Sequence, residues 1–313
     1  MRSFLTLVLF LLLTALIAFN IWRWPAPRWQ GQDLVVEQTV GDRFEILFVG
    51  DTGTGGEAQM AVAAAMEKYC EAHLPIAVVM LGDNFYQKGV QSPEDPQWQS
   101  AFLRPYGTPC LGRLPFYALL GNHDYKGNPA AEVAFHSQTP RWVMPHRFYE
   151  VRFGQRLQIV ALDTNILDVC GLASYCTLDF LKQAIAHRDR RTSIVVGHHP
   201  LSSSSEKYQD TTFQSRVLET LLCEKVPIYI AGHAHQLEHR RGQLCELDEM
   251  ISGGGGAELY AVRKQDSGSL FARSTHGFLS VRVDPDALYF DFYNQNLDRL
   301  YSYMRPEPGQ GTP

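Results

Sequence analysis

Five short stretches of the chain end an apolar run in a glycine and then present a side chain that can hold a metal or move a proton. They are Gly50-Asp51, Gly82-Asp83-Asn84-Phe85-Tyr86, Gly121-Asn122-His123-Asp124, Gly197-His198-His199-Pro200 and Gly232-His233-Ala234-His235. One Gly-Asp or Gly-His pair is an ordinary turn. Five of them, behind runs such as Ile76-Ala77-Val78-Val79-Met80-Leu81, predict a metal site on strand ends, because open α/β sheets bind ligands beyond the carboxyl ends of their strands. Asp51, Asp83, Asn122, His198, His233 and His235 offer oxygens and imidazole nitrogens and no thiolate, a set suited to iron, manganese or zinc. The set is larger than one ion needs, so the natural reading is two ions sharing a carboxylate. Two ions about 3.5–4 Å apart can hold a hydroxide between them and clamp a phosphoryl group.

The elements that must position these groups follow from the pattern around them. Strands are expected at 46–50, 76–81, 116–120, 148–153, 157–163, 193–196 and 226–230, and helices at 57–72, 177–190 and 213–223. Thr177 reads as the cap of the second helix. The first unit is β-loop-α-β, the signature of a parallel sheet. Segment 87–112 is proline-rich, with Trp98, Phe102 and Tyr106 available to pin a short helix and loops to the domain. Beyond His235, short alternating segments at 250–252, 277–283, 287–293 and 300–303 read as antiparallel strands completing a second sheet. The fold class is therefore α/β, an α+β sandwich of two mixed sheets flanked by helices, with a dimetal site at the strand ends.

With these elements in place, the five motifs occur in the order found in calcineurin-like metallophosphoesterases, which the chain resembles over about 44–293. Tyr86, three residues after Asp83, makes the resemblance closest to purple acid phosphatases of the small tartrate-resistant type. The resemblance implies Asp51, Asp83, Tyr86 and His235 around a ferric ion. It implies Asp83 as the bridge to a second ion, Fe(II), Zn or Mn, held with Asn122, His198 and His233. His123 is then the catalytic group outside the ligands, holding the phosphoryl group or protonating the leaving oxygen. His199 stands where this family usually has tyrosine and either touches substrate or faces solvent. The mammalian-type enzymes carry a further histidine in the loop after Gly-His-x-Pro. Here 201–210 is serine-rich and has none, leaving Lys207 or Tyr208 as alternative substrate contacts. The implied activity is hydrolysis of phosphate monoesters, of small molecules or phosphoproteins, by a metal-bound hydroxide. A phosphodiesterase or nucleotide hydrolase on the same metals is the alternative, and a silent metal-binding surface protein the rival of a different class.

Composition sets the surroundings. The 313 residues are 45% hydrophobic and 19% charged, which describes a globular chain with one large domain. A net charge of −5 gives no basic surface for nucleic-acid backbone. A monomer is expected. Residues 4–22 form an almost unbroken apolar run after Arg2, close to the length that spans a bilayer, with Trp22 and Trp24 as interfacial anchors. Either an uncleaved anchor or a cleaved signal (1–24) exports the rest. A linker (25–43), the catalytic domain (44–304) and a loose Pro/Gly tail (305–313) follow. Six cysteines, none in a C-x-x-C pair, fit export with at least one disulfide. Cys170 and Cys176 could close the short loop between them.

Overall fold

Apolar runs without polar alternation become strands covered on both faces, and the short turns between them set their order. The computed structural model describes residues 34–165, 174–208, 212–223, 225–263 and 268–306. Among them, the first sheet holds β1 (Val35–Gln38), β6 (Tyr149–Phe153), β7 (Leu157–Ala161), β8 (Thr192–Gly197), β9 (Ile228–Ala231), β10 (Leu237–Arg241), β11 (Asp248–Ser252) and β12 (Ser269–Arg273). Its order is β1-β6-β7-β8-β9-β11-β10-β12. The second sheet holds β2 (Phe44–Val49), β3 (Ala77–Met80), β4 (Phe116–Ala118), β5 (Trp142–Val143), β13 (Gly277–Val283), β14 (Ala287–Asn294) and β15 (Arg299–Pro306). Its order is β15-β14-β13-β2-β3-β4-β5.

The two sheets bury their facing sides in one core that takes residues from both, with Phe153 of the first stacked on Phe44 and edge-on to Tyr117 of the second. Helix α1 (Glu57–His73) lies against the second sheet through Val62, Met66 and Tyr69, and the Tyr69 hydroxyl donates to Glu45 of β2. It starts after Gly55-Gly56 and stops at Leu74, which turns into the left-handed region ahead of Pro75. A seven-residue helix, α2 (Pro129–Phe135), follows β4 and is capped by Asn128. Helices α3 (Ser174–Ala186) and α4 (Phe213–Leu222) follow β7 and β8; α3 packs Phe180 against Phe148, and α4 buries Leu218 and Leu222.

Three expectations change and one is met. The strands after His235 do not form one antiparallel sheet. β13–β15 extend the second sheet antiparallel from β2, whereas β10–β12 extend the first and β11 runs parallel to β9. Part of the stretch expected to be linker is β1, which pairs parallel with β6 and covers that edge. Thr177 lies inside α3, fully buried, and is no cap. The short turns at Trp98–Leu103 and Arg104–Tyr106 do pin segment 87–112, with all three named aromatics buried.

Disulfides join Cys70 to Cys110 and Cys223 to Cys245. The suggested Cys170–Cys176 closure and the apolar run at 4–22 fall outside the described residues. Among those that are described, no helix is long and apolar enough to cross a membrane.

The Cys70–Cys110 bridge ties the end of α1 to the segment before β4 across 40 residues. Replacing both by serine is expected to lower the unfolding free energy by about 2–4 kcal/mol, from restored loop entropy in the unfolded chain. Denaturant unfolding of the oxidised protein and the double variant checks this.

Candidate metal centre

The carboxyl ends of β2, β3 and β4 in one sheet and of β8 and β9 in the other open on the same place. Each strand leads into a sharp turn. Asp51, Asp83 and His233 adopt φ of 59°, 51° and 64°. Non-glycine residues rarely hold that left-handed conformation, and it concentrates at functional sites. The glycines beside them answer to close approach. A Cβ on Gly82 (φ 86°) would sit 2.7 Å from both the Gly121 nitrogen and His198 Nδ1. The Gly253–Gly256 run passes beneath the same turns, where Gly255 donates to the Gly50 carbonyl and Ala257 to that of Asp51.

All the residues expected to ligate are brought together. Tyr86 Oη donates to Asp83 Oδ2 at 2.8 Å and lies 3.2 Å from Asp51 Oδ1 and 3.1 Å from His235 Nε2. His235 Nε2 is 3.3 Å from Asp51 Oδ1. On the other side of Asp83, His198 Nε2 lies 3.5 Å from Oδ1, 3.1 Å from Asn122 Oδ1 and 3.1 Å from His233 Nδ1. Two imidazoles are oriented from behind. His198 Nδ1 donates to the Leu81 carbonyl at 2.8 Å and His235 Nδ1 to that of Glu258 at 2.6 Å. Each Nε2 is thereby left as a lone pair turned inward, the arrangement that metal-ligating histidines show.

Charge completes the fit. Asp51 and Asp83 are 0% and 1% exposed, and among the described residues neither pairs with lysine or arginine. Two buried carboxylates, inward-facing imidazoles and a phenol form a place suited to cations. Burial, then the Asp51 and Asp83 carboxylates, push the Tyr86 phenol far above its ordinary pKa. A bound cation would oppose that field. His233 is held well below the usual imidazole value by burial and by His198. For His235 burial acts downward, but the Asp51 carboxylate outweighs it and the net shift is upward.

His123 stands at the rim, half-buried. Its backbone N–H donates to Asp83 Oδ1 at 2.7 Å, and its ring lies 4.5 Å from that of Tyr86. Nδ1 donates to the Gln87 carbonyl at 2.9 Å, and Lys126 Nζ lies 3.0 Å from Nε2. His199 is held by Thr164, whose Oγ1 is 2.8 Å from Nδ1 and accepts the His199 N–H. It joins His198 and His233 in a second cluster whose ligand atoms lie within 4.8 Å of one another. Burial and His198 depress its pKa to about 3.

Several further residues hold the donors in place. Asp124 accepts the backbone N–H groups of Asn84, Phe85 and Gly121, and so ties the turn after β3 to the turn after β4. Tyr260 stacks on His235 with ring centroids 4.1 Å apart. The serine loop is buried and bolted down. Glu249 accepts the Leu201 and Ser202 N–H groups, Glu238 accepts Ser204, and Arg240 bridges Ser202, Ser204 and Glu238. The run Ser202–Ser205 reads as loop composition in sequence, yet Ser202 and Ser204 are hydrogen-bond partners of the buried Glu238 and Arg240.

Comparison with known proteins agrees with this geometry. The calcineurin-like phosphoesterase family matches residues 44–237. Purple acid phosphatase 4 of Arabidopsis thaliana is 29% identical over 280 residues, 82% of either chain. Tartrate-resistant acid phosphatase type 5 of Sus scrofa is 27% identical over 256 residues, 73% of this chain and 75% of that one. Among solved structures, GAP50, the anchor in the inner membrane complex of Plasmodium, superposes with a TM-score of 0.78 at 21% identity, covering 87% of this chain and 91% of its own.

The serine-loop cluster yields a pH dependence. Burial raises the Glu249 carboxyl from 4.5 to about 8, against the Leu201 N–H and Arg240. A carboxyl raised in the folded state stabilises the fold fully below its ordinary value and loses that contribution as pH climbs towards the raised one. Urea unfolding at about pH 5 and about pH 8 is expected to show wild type losing more stability over this range than Glu249→Gln, whose amide oxygen can still accept the Leu201 N–H and which does not titrate.

Proposed function

The chain belongs to the calcineurin-like phosphoesterase family, and on that premise we propose that it is an exported acid phosphatase hydrolysing phosphate monoesters at a dinuclear metal centre. The observation that carries this reading is Asp83, whose two oxygens face different halves of one buried donor set. Oδ2 meets Tyr86, beside Asp51 and His235, and Oδ1 meets His198, beside Asn122 and His233. In this reading Asp51, Tyr86 and His235 hold a ferric ion, and Asn122, His198 and His233 hold Fe(II), Zn or Mn, with Asp83 shared. When bound, the ions supply an acidified water nucleophile and positive charge for the phosphoryl group.

The chain's own residues do the rest. Tyr86 closes one wall and Tyr260 backs His235, so the donor set keeps its shape as substrate enters. His123 Nε2 lies beside the Lys126 ammonium. It orients the phosphoryl oxygens and, after taking a proton at Nε2 from the neighbouring ammonium, passes it to the leaving alkoxide. The purple and tartrate-resistant acid phosphatases among its relatives support the monoester reading. The apolar run at 4–22 and the two disulfides support export. GAP50 is described as an anchor, but a 21% likeness speaks to fold alone, and the complete donor set here favours catalysis over a silent surface role.

Release of phosphate from 4-nitrophenyl phosphate and bis(4-nitrophenyl) phosphate by the metal-loaded protein tests the reading. The monoester is expected to react faster, and a clear preference for the diester would replace it with a phosphodiesterase. His123→Ala should lower kcat by roughly 10²–10⁴-fold while metal content is kept. Loss of metal in that variant would make His123 a ligand instead. Oxidised, iron-loaded protein should absorb visible light through Tyr86, and Tyr86→Phe should bleach it with iron retained. Colourless wild type carrying its full iron would remove Tyr86 from the ligand set.

A further inference from the structure

Beside the metal centre lies a pocket whose composition phosphoryl chemistry alone does not require. It measures about 230 Å³ and meets the centre through His199 and His233. Pro200, Leu201 and Leu218 supply apolar lining, and Ser202, Ser203 and Thr212 supply hydroxyls. Its lining contains no aspartate or glutamate among the described residues; apart from the histidines, its one basic side chain is Lys207.

Lys207 is placed by backbone. Ser205 bridges to Val262, Glu206 N donates to the Ala261 carbonyl at 2.9 Å, and Lys207 N donates to Ser205 Oγ at 3.2 Å. Its ammonium donates to Tyr260 Oη at 2.8 Å and lies 4.2 Å and 5.5 Å from the Tyr260 and Tyr208 ring centroids. Tyr208 in turn packs its ring 4.0 Å from that of His233. No carboxylate among the described residues pairs with this ammonium. A fixed cation with hydrogen-bonding capacity to spare therefore borders a compact pocket that opens on the reacting centre.

We propose that this pocket receives the alcohol portion of the substrate, and that Lys207 selects compact monoesters whose alcohol portion carries a second anion, a carboxylate or another phosphate. The inference rests on the phosphatase reading and narrows its substrate class. A lysine-to-anion hydrogen bond made by one substrate and missing from its neutral analogue is worth about tenfold or more in kcat/KM.

The test compares two esters that differ only in the group Lys207 would meet, 2-phosphoglycerate and glycerol 2-phosphate. Wild type is expected to favour 2-phosphoglycerate by about tenfold or more in kcat/KM. Lys207→Met should bring the ratio close to one, and Lys207→Arg should retain most of it. The ratio is internal to each variant, so a general loss of activity does not imitate the effect. A wild-type ratio near one, or a ratio unchanged in Lys207→Met, overturns the proposal. Should metal-loaded wild type hydrolyse neither ester, the phosphatase reading is what fails. Ligand-observed NMR with free glycerate and glycerol then decides the pocket without turnover. Preferential binding of glycerate that Lys207→Met abolishes upholds it, and equal binding of the two sinks it.

Discussion

Two buried carboxylates that share one tyrosine hydroxyl, with no lysine or arginine among the described residues to neutralise them, are the constraint on which the molecule turns. At an effective dielectric near 20, two such charges about 4–6 Å apart repel by about 3–4 kcal/mol, before the cost of taking each out of water. A fold that accepts this cost must recover it elsewhere. Here the carboxylates are satisfied by backbone N–H groups, His233 to Asp51 and His123 to Asp83, and by the phenol, while the imidazoles turn lone pairs towards them. Bound cations would supply the remaining charge.

Holding that geometry explains much of the surrounding structure. Left-handed turns at Asp51, Asp83 and His233 cost backbone strain, and the packing around them prevents relaxation. The Gly253–Gly256 run brings backbone against the turn at Asp51, Asp124 ties two turns together, and the Glu238–Arg240–Glu249 cluster fixes the serine loop beside the opening. In the metallophosphoesterase frame these are supports for the donor set, built from residues that never face it.

The donor set was legible because its signal is local. Each motif is an apolar run, a glycine and a donor within a few positions, and all the predicted ligands meet. Pairings between distant segments were less legible. β11 inserts parallel beside β9, and β13 joins β2 from the far end of the chain; no turn residue announces either. Val35–Gln38 has strand character, but only the open edge at β6 makes it a strand. Cys70 finds Cys110, and Cys223 finds Cys245, through tertiary proximity that spacing does not encode. Tyr260 and Lys126 look like any loop residues until the neighbours they stack on or face are known.

The donors divide between the sheets, with Asp51, Asp83, Tyr86 and Asn122 following β2–β4 and the three histidines following β8 and β9. Neither sheet is a contiguous stretch of chain. The sheet that presents the carboxylates also needs β13–β15, which come after every donor in sequence. The carboxylates therefore precede the imidazoles in the chain, and the sheet beneath the carboxylates closes only after the last histidine donor. The geometry of the centre is thus completed by strands that follow every donor in the chain and contribute none themselves.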